Sequence, residues 1–113
     1  MCGICGIVNF QKDNSPSVEI LKKMNQALAH RGPDDEGIYV GKHAGLAIKR
    51  LSIIDLKTGH QPIHNENKSI WIVFNGEIYN FKEISDSIVK KGHIFYTQPY
   101  TEVVVHLYEE YRA

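Results

Sequence analysis

Net charge, cysteine, tryptophan and long apolar runs are all scarce in this chain. Among its 113 residues, 13 are Lys or Arg and 13 are Asp or Glu, so the formal net charge is zero. Such a balance sets up no field toward nucleic acid or an anionic membrane, and neither is expected as a partner. No apolar run approaches the ~18 residues that suggest a membrane span. No Lys or Arg precedes the short apolar stretch at the N-terminus, so it does not read as a signal peptide, and a cytoplasmic location is expected. The 2 cysteines are expected to be reactive or buried thiols rather than a disulfide framework. Repeats, low-complexity tracts and linkers are missing too. What is present is 42% hydrophobic residues, enough for one modest domain with a single core over residues 2–113.

The apolar pattern outlines its elements. ICGIVNF (residues 4–10) reads as a buried strand. QKDNSPS is a loop, with Ser15 the expected N-cap and Pro16 at the first helical position. Val18, Leu21, Met24 and Leu28 recur at helical spacing, and that helix should stop before Gly32-Pro33. RGPDDEG is loop chemistry. Strands are expected over 37–40 and 44–54 around a Gly41-Lys42-His43 turn. After the loop KTGHQPIHNENK, the run Ile70-Trp71-Ile72-Val73-Phe74 reads as a strand covered on both faces. Asn80 and Glu83 have capping-box spacing, with Asn in place of Ser or Thr. A stripe of Ile84, Ile88 and Val89 follows, and Gly92 ends that helix. Val104, Leu107, Tyr108 and Tyr111 fit a last helix.

Several residues invite a chemical reading. The chain opens MCGICGIVNF. Methionine aminopeptidases remove Met1 before a small residue, which would give Cys2 a free α-amine beside its thiol. Cys2-x-x-Cys5 with His60 and His64 resembles a zinc set, but a finger needs ~12–15 residues between its pairs and here the gap is several times longer. A redox pair belongs after a strand, at a helix start; this one lies at the extreme N-terminus, so no metal is expected. Asn75-Gly76 between apolar runs is the preferred hairpin turn, or else an oxyanion hole built from the Asn amide and the Gly N–H. Arg50 is either a snorkelling surface charge or a fork for a carboxylate. Spacing leaves both pairs of readings open.

Together, MCGI, HRGPDDEG, RLSIIDL, GHQPI and FNGEIYNF, in that order, resemble the N-terminal class II glutamine amidotransferase domain of the glutamine-hydrolysing asparagine synthetases. The likeness runs from Cys2 to about Tyr111. It implies an α+β fold, the N-terminal portion of a four-layer αββα N-terminal-nucleophile (Ntn) hydrolase sandwich. It implies that Cys2, freed of Met1, attacks the side-chain amide of glutamine, with its own α-amine as base; such an amine titrates near neutral pH. Asn75 and Gly76 match the oxyanion hole, and Arg50 the group that grips the glutamine α-carboxylate. Ile53, Ile54 and Glu77 match residues lining the glutamine site. Cys5 is left as a packed thiol.

Two departures from the pattern stand out. Where the family reads T-x-S-D-T-E, this chain reads Thr97-Gln98-Pro99-Tyr100-Thr101-Glu102, putting Tyr100 where an Asp binds the glutamine ammonium. The second half of the sandwich and the synthetase domain, with its ATP and Mg, are expected to lie outside this segment, which needs no cofactor of its own. The implied partners are glutamine and the synthetase domain or chain that accepts ammonia. An uncovered apolar face should favour self-association. The alternative is a truncated remnant with only a binding or structural role.

Overall fold

The computed structural model describes residues 2–11, 14–51, 60–96 and 101–111. Strands β1 (Gly3–Val8), β2 (Asp35–Val40) and β3 (Ala44–Arg50) form an antiparallel sheet in the order β1-β3-β2. The expected turn over Gly41, Lys42 and His43 joins β2 to β3, closed by the Gly41 N–H donating to the Ala44 carbonyl at 2.8 Å. β2 starts at Asp35 rather than at 37, because Asp35 and Glu36 pair with Arg50 and Lys49.

β3 is the middle strand and is covered on both sides. Its neighbours Ala47 and Ile48 are both fully buried, and successive strand residues point to opposite faces. Helix α1 (Val18–Gln26) covers the face of Gly45 and Ala47. A Cβ at Gly45 would meet Leu21 Cδ2 at 2.9 Å, so the helix approaches closely only because that position is bare. The other face, with Leu46 and Ile48, turns toward a two-stranded sheet of β4 (Ile63–His64) and β5 (Trp71–Ile72). Tyr39, opposite Leu46, stacks on Trp71 with ring centroids 4.0 Å apart. Helix α2 (Phe81–Lys90) packs on helix α3 (Thr101–Tyr111), and α3 in turn packs on β4 and β5. Among the described residues the fold is therefore α+β, with two antiparallel sheets and three α-helices.

Several local expectations need correction. Ser17, not Ser15, caps α1: its backbone is extended and its hydroxyl accepts from the Ile20 N–H at 3.3 Å. Pro16 thus precedes the cap instead of opening the helix. Leu28 falls outside α1, whose end tightens into a 3₁₀ turn over Ala29–Arg31. The strand expected over 70–74 shrinks to Trp71–Ile72, and all five residues are only half-buried. Its partner β4 cannot extend backward through Pro62, which has no N–H, and the Phe74 N–H is taken by the Gln61 side chain at 2.7 Å. Asn80 does occupy the N-cap of α2, but with φ −101° and ψ 29° its side chain makes no capping bond. Val89 is exposed, so the inward stripe of α2 reduces to Ile84 and Ile88. The helix ends as expected at Gly92, at φ +96°, with the His93 N–H reaching back to the Ile88 carbonyl at 3.4 Å. The far end of the expected strand 44–54, residues 52–54, lies outside the described residues.

The last helix, α3, forms as expected. Tyr108 and Tyr111 are exposed, while Glu102, Val103, Val105 and His106 are buried. Glu102 and His106 sit one turn apart and pair at 3.1 Å, and the same Glu102 oxygen accepts from the Tyr96 N–H at 3.0 Å. The inward face of α3 thus carries polar side chains that satisfy one another. Beside this pair lie Glu66 and His93. Burial opposes the charged form of His93, yet its bonds to Glu110 and Glu66 hold its pKa above the ordinary value. Burial likewise works against a charged Glu66, but the backbone N–H groups of Glu66 and Ile94, with His106 and His93, keep its carboxyl below the usual value.

Candidate active site

The site is assembled where β1 begins and β3 ends. The pairing of Gly3 with Lys49 carries Cys2 to the end of β3, where its half-buried thiol lies 4.0 Å from the Leu51 carbonyl. The Cys2 carbonyl accepts two side-chain donors, Arg31 Nε at 3.3 Å and Asn75 Nδ2 at 3.2 Å. Asn75 is 73 residues away in sequence. Thus the residue at the start of the chain and the NG dipeptide meet in space.

RGPD, read from sequence only as a loop, braces this corner. Gly32 lies so close to β3 that an added Cβ would sit 2.4 Å from the Lys49 carbonyl carbon and oxygen. Pro33 bridges to Arg50, and the Asp34 N–H donates to the Arg50 carbonyl at 3.0 Å. Arg50 is half-buried at the end of β3, in the midst of these contacts.

GHQP fixes the other side. Gln61 is buried, and its backbone carbonyl passes over Gly37 so closely that a Cβ there would come within 1.6 Å of it. Its side-chain oxygen holds the Phe74 N–H, the residue just before Asn75. The path Gln61–Phe74–Asn75–Cys2 is therefore continuous. Arg31 and Gln61 lie inside motifs visible in the sequence, but neither drew a role from it.

Asn75-Gly76 is not a hairpin turn. β5 pairs backward with β4, and α2 follows the dipeptide instead of a strand. A two-residue type I′ turn needs positive φ at both positions, and among the described residues only Lys68 and Gly92 have it. Asn75, Gly76 and Glu77 are exposed. Ile53, Ile54 and Tyr100 lie outside the described residues. Cys5 is half-buried on β1, and burial pushes its thiol pKa up. His60 pairs with Asp35 at 2.9 Å, while the His64 ring bonds the Asn65 carbonyl at 2.7 Å, so each histidine has a partner other than the cysteines. An apolar groove of about 450 Å³ lies away from this corner, between β5 and α3, lined by Trp71, Ile72, Val104 and Tyr108 among others. Among the described residues, no helix is long and apolar enough to cross a membrane.

Cys2, the Asn75 amide that donates to its backbone carbonyl from 73 residues away, and Arg50 at the adjoining strand end thus meet at one corner. Comparison with known proteins decides the family, since the glutamine amidotransferase domain matches residues 1–113. The chain belongs to the glutamine amidotransferase domain family. Among its relatives, asparagine synthetase [glutamine-hydrolyzing] 2 of Bacillus subtilis (strain 168) is 47% identical over 112 residues, covering 97% of this chain and 15% of the relative. Asparagine synthetase [glutamine-hydrolyzing] 1 of the same organism is 41% identical over 114 residues, covering 99% of this chain and 18% of the relative. The asparagine synthetase of Brassica oleracea is 41% identical over 111 residues, covering 98% and 19%. This amidotransferase chain thus spans less than a fifth of the length of these curated relatives.

Proposed function

We propose that this chain is the glutamine-hydrolysing part of an asparagine synthetase. The observation that carries the reading is the hydrogen bond from Asn75 Nδ2 to the carbonyl of Cys2. A side-chain amide that reaches the backbone of the nucleophile stands one residue's breadth from its thiol. After removal of Met1, the Cys2 α-amine takes the thiol proton and the sulfur attacks the side-chain carbonyl carbon of glutamine. The carbonyl oxygen becomes an oxyanion held by Asn75 Nδ2 and the Gly76 N–H. Collapse expels ammonia, which takes its proton from the α-amine, and leaves a thioester on Cys2. Water then attacks that thioester, releasing glutamate and the free thiol. Each oxyanion donor of this kind is worth about 2.7–4 kcal/mol of transition-state stabilisation.

Arg50 grips the glutamine α-carboxylate in this reading, with Ile53, Ile54 and Glu77 lining the site and Tyr100 near the ammonium. The ammonia passes to a synthetase domain, where ATP with Mg²⁺ activates aspartate, in the cytoplasm. The fold is then the N-terminal portion of a four-layer αββα Ntn-hydrolase sandwich. Coverage of β3 by α1 on one face and by β4–β5 on the other, with α3 beyond, supports that layering. Ile4, Val8 and Phe10 are exposed on and beside β1. They provide an apolar surface for self-association. The meeting of Cys2 with Asn75 argues against a purely structural remnant.

Intact-mass analysis after reaction with a glutamine-like electrophile tests the proposal. The expected product lacks Met1 and carries one label, on Cys2, and Cys2→Ala abolishes both labelling and ammonia release. Label on Cys5 instead, or Met1 retained in labelled protein, overturns it.

A further inference from the structure

Far from Cys2 along the chain, four potential ligands converge from three segments. Glu66 comes from the β4–β5 loop, His93 from just beyond α2, and His106 and Glu109 from successive turns of α3. One donor atom from each lies within 4.8 Å of all the others. None of them takes part in the proposed glutamine chemistry.

The way these side chains are held is what points to an ion. The Nε2 atom of each imidazole is occupied by a carboxylate, His93 by Glu110 at 2.6 Å and His106 by Glu102 at 3.1 Å. Both Nδ1 atoms therefore turn to the same carboxylate, that of Glu66, at 2.9 Å from His93 and 3.3 Å from His106. One oxygen of Glu109 accepts from Asn65 Nδ2 at 2.8 Å, and Glu66 Oε2 accepts from the Ile94 N–H at 3.1 Å. Metal-binding imidazoles are typically oriented in this manner, with the far ring nitrogen donating to a carboxylate. A second observation concerns burial. His106 is fully buried, and although its Nδ1 comes within 3.3 Å of Glu66 Oε1, the contact lacks hydrogen-bond geometry, so this atom is left without a hydrogen-bond partner. Buried polar atoms are normally satisfied.

We infer that Glu66, His93, His106 and Glu109 form a structural site for a divalent transition-metal ion of the zinc class. Two neutral imidazoles and two carboxylates supply four ligands, and the two carboxylate charges balance a divalent ion. Nitrogen and oxygen donors in a set of four suit Zn²⁺ or Co²⁺ rather than Ca²⁺ or Mg²⁺, which take six or more oxygens. Closing from the present spread to ligand distances of ~2.0–2.2 Å requires only side-chain adjustment around the ion. The ion then ties the β4–β5 loop and the end of α2 to α3, in place of the present contact between Glu66 and His93.

Calorimetric titration of the metal-stripped full chain with Zn²⁺, and with Co²⁺ monitored by its visible spectrum, tests this. One ion per chain is expected, with four-coordinate Co²⁺ bands and no thiolate charge-transfer band. Glu109→Gln removes a ligand and Glu110→Gln removes the support of His93. Both are partly exposed positions where folding is easily checked, and each should weaken binding about 10–100-fold. The Cys2→Ser/Cys5→Ser double variant should bind as tightly as the parent chain. Failure to bind at millimolar zinc, a thiolate band, or affinity indifferent to Glu109→Gln overturns the inference.

Discussion

Around Cys2 the contacts are exposed and run through the backbone. Around His106 they are buried and run between charges. At the first corner Arg31 and Asn75 hold a carbonyl, Gly32 rests on the Lys49–Arg50 backbone, and Asn75, Gly76 and Glu77 face solvent. At the second, His106 and Glu102 are fully buried and joined, with Glu66 and His93 packed beside them. The difference has a physical reason. A reacting thiol needs an open approach and donors aimed at a position that charge occupies only transiently. A buried hydrogen-bonded pair needs its partners permanently, because either polar group alone is costly in a low-dielectric interior. Changes at the two corners should therefore separate cleanly, one set altering activity and the other stability.

The largest expected effect is at the buried corner. Glu102→Ala leaves the His106 Nε2 and the Tyr96 N–H without their acceptor, and each group stranded in this way costs about 1–3 kcal/mol. Urea unfolding should show that loss as a lowered midpoint. The pair of Lys49 and Glu36, 2.5 Å apart on the first sheet, makes the control, since the substituted Glu36 side chain is 58% exposed although that of Lys49 is only 12% exposed. Glu36→Gln should cost no more than about 1 kcal/mol. Equal losses in the two variants would mean that burial does not distinguish the regions.

These regions also differ in how well the sequence disclosed them. At the Cys2 corner, position 2, Asn75-Gly76 and Arg50 all stand out in the sequence, because the proposed chemistry demands those residue types. The hairpin alternative for Asn75-Gly76 fell only when strand pairing and φ values were known. At the α3 corner, the spacing of Val104, Leu107, Tyr108 and Tyr111 gives the helix but carries no sign that Glu102 and His106 are buried on it, since apolar spacing cannot register polar groups that pair inside the protein. Strand length failed for a similar reason. Nothing in Ile70–Phe74 reveals that Pro62 and Gln61, several residues earlier, limit its ladder to Trp71–Ile72. Long-range partners decide such features, and local pattern does not contain them.

Asn75→Ala sharpens the contrast from the open side. Removing one oxyanion donor should lower the glutaminase kcat about 10²–10³-fold, a loss of ~2.7–4 kcal/mol from the transition state. Because Asn75 is exposed and bonds only one carbonyl among the described contacts, unfolding stability should change by less than about 1.5 kcal/mol. Steady-state kinetics beside a urea titration of the same variant separates the two quantities. A stability loss with kcat intact would make Asn75 a strut of the fold, and its role in the reaction would be lost.

The smallest effect is expected at Arg31, which touches Cys2 only through the backbone. Its Nε donates to the Cys2 carbonyl at 3.3 Å, beside the Asn75 bond to the same oxygen. Arg31→Lys keeps the charge and most of the aliphatic stem but removes the planar fork, so one of two donors to that carbonyl is lost. A single hydrogen bond of this type contributes a net ~0.5–1.5 kcal/mol. If it serves to orient the nucleophile, the loss falls on kcat, by about three- to tenfold, with KM for glutamine unchanged. A rise in KM at constant kcat would instead mean that Arg31 meets the substrate directly. That outcome would move the boundary of the site outward, from the end of β3 onto the 3₁₀ turn that carries Arg31.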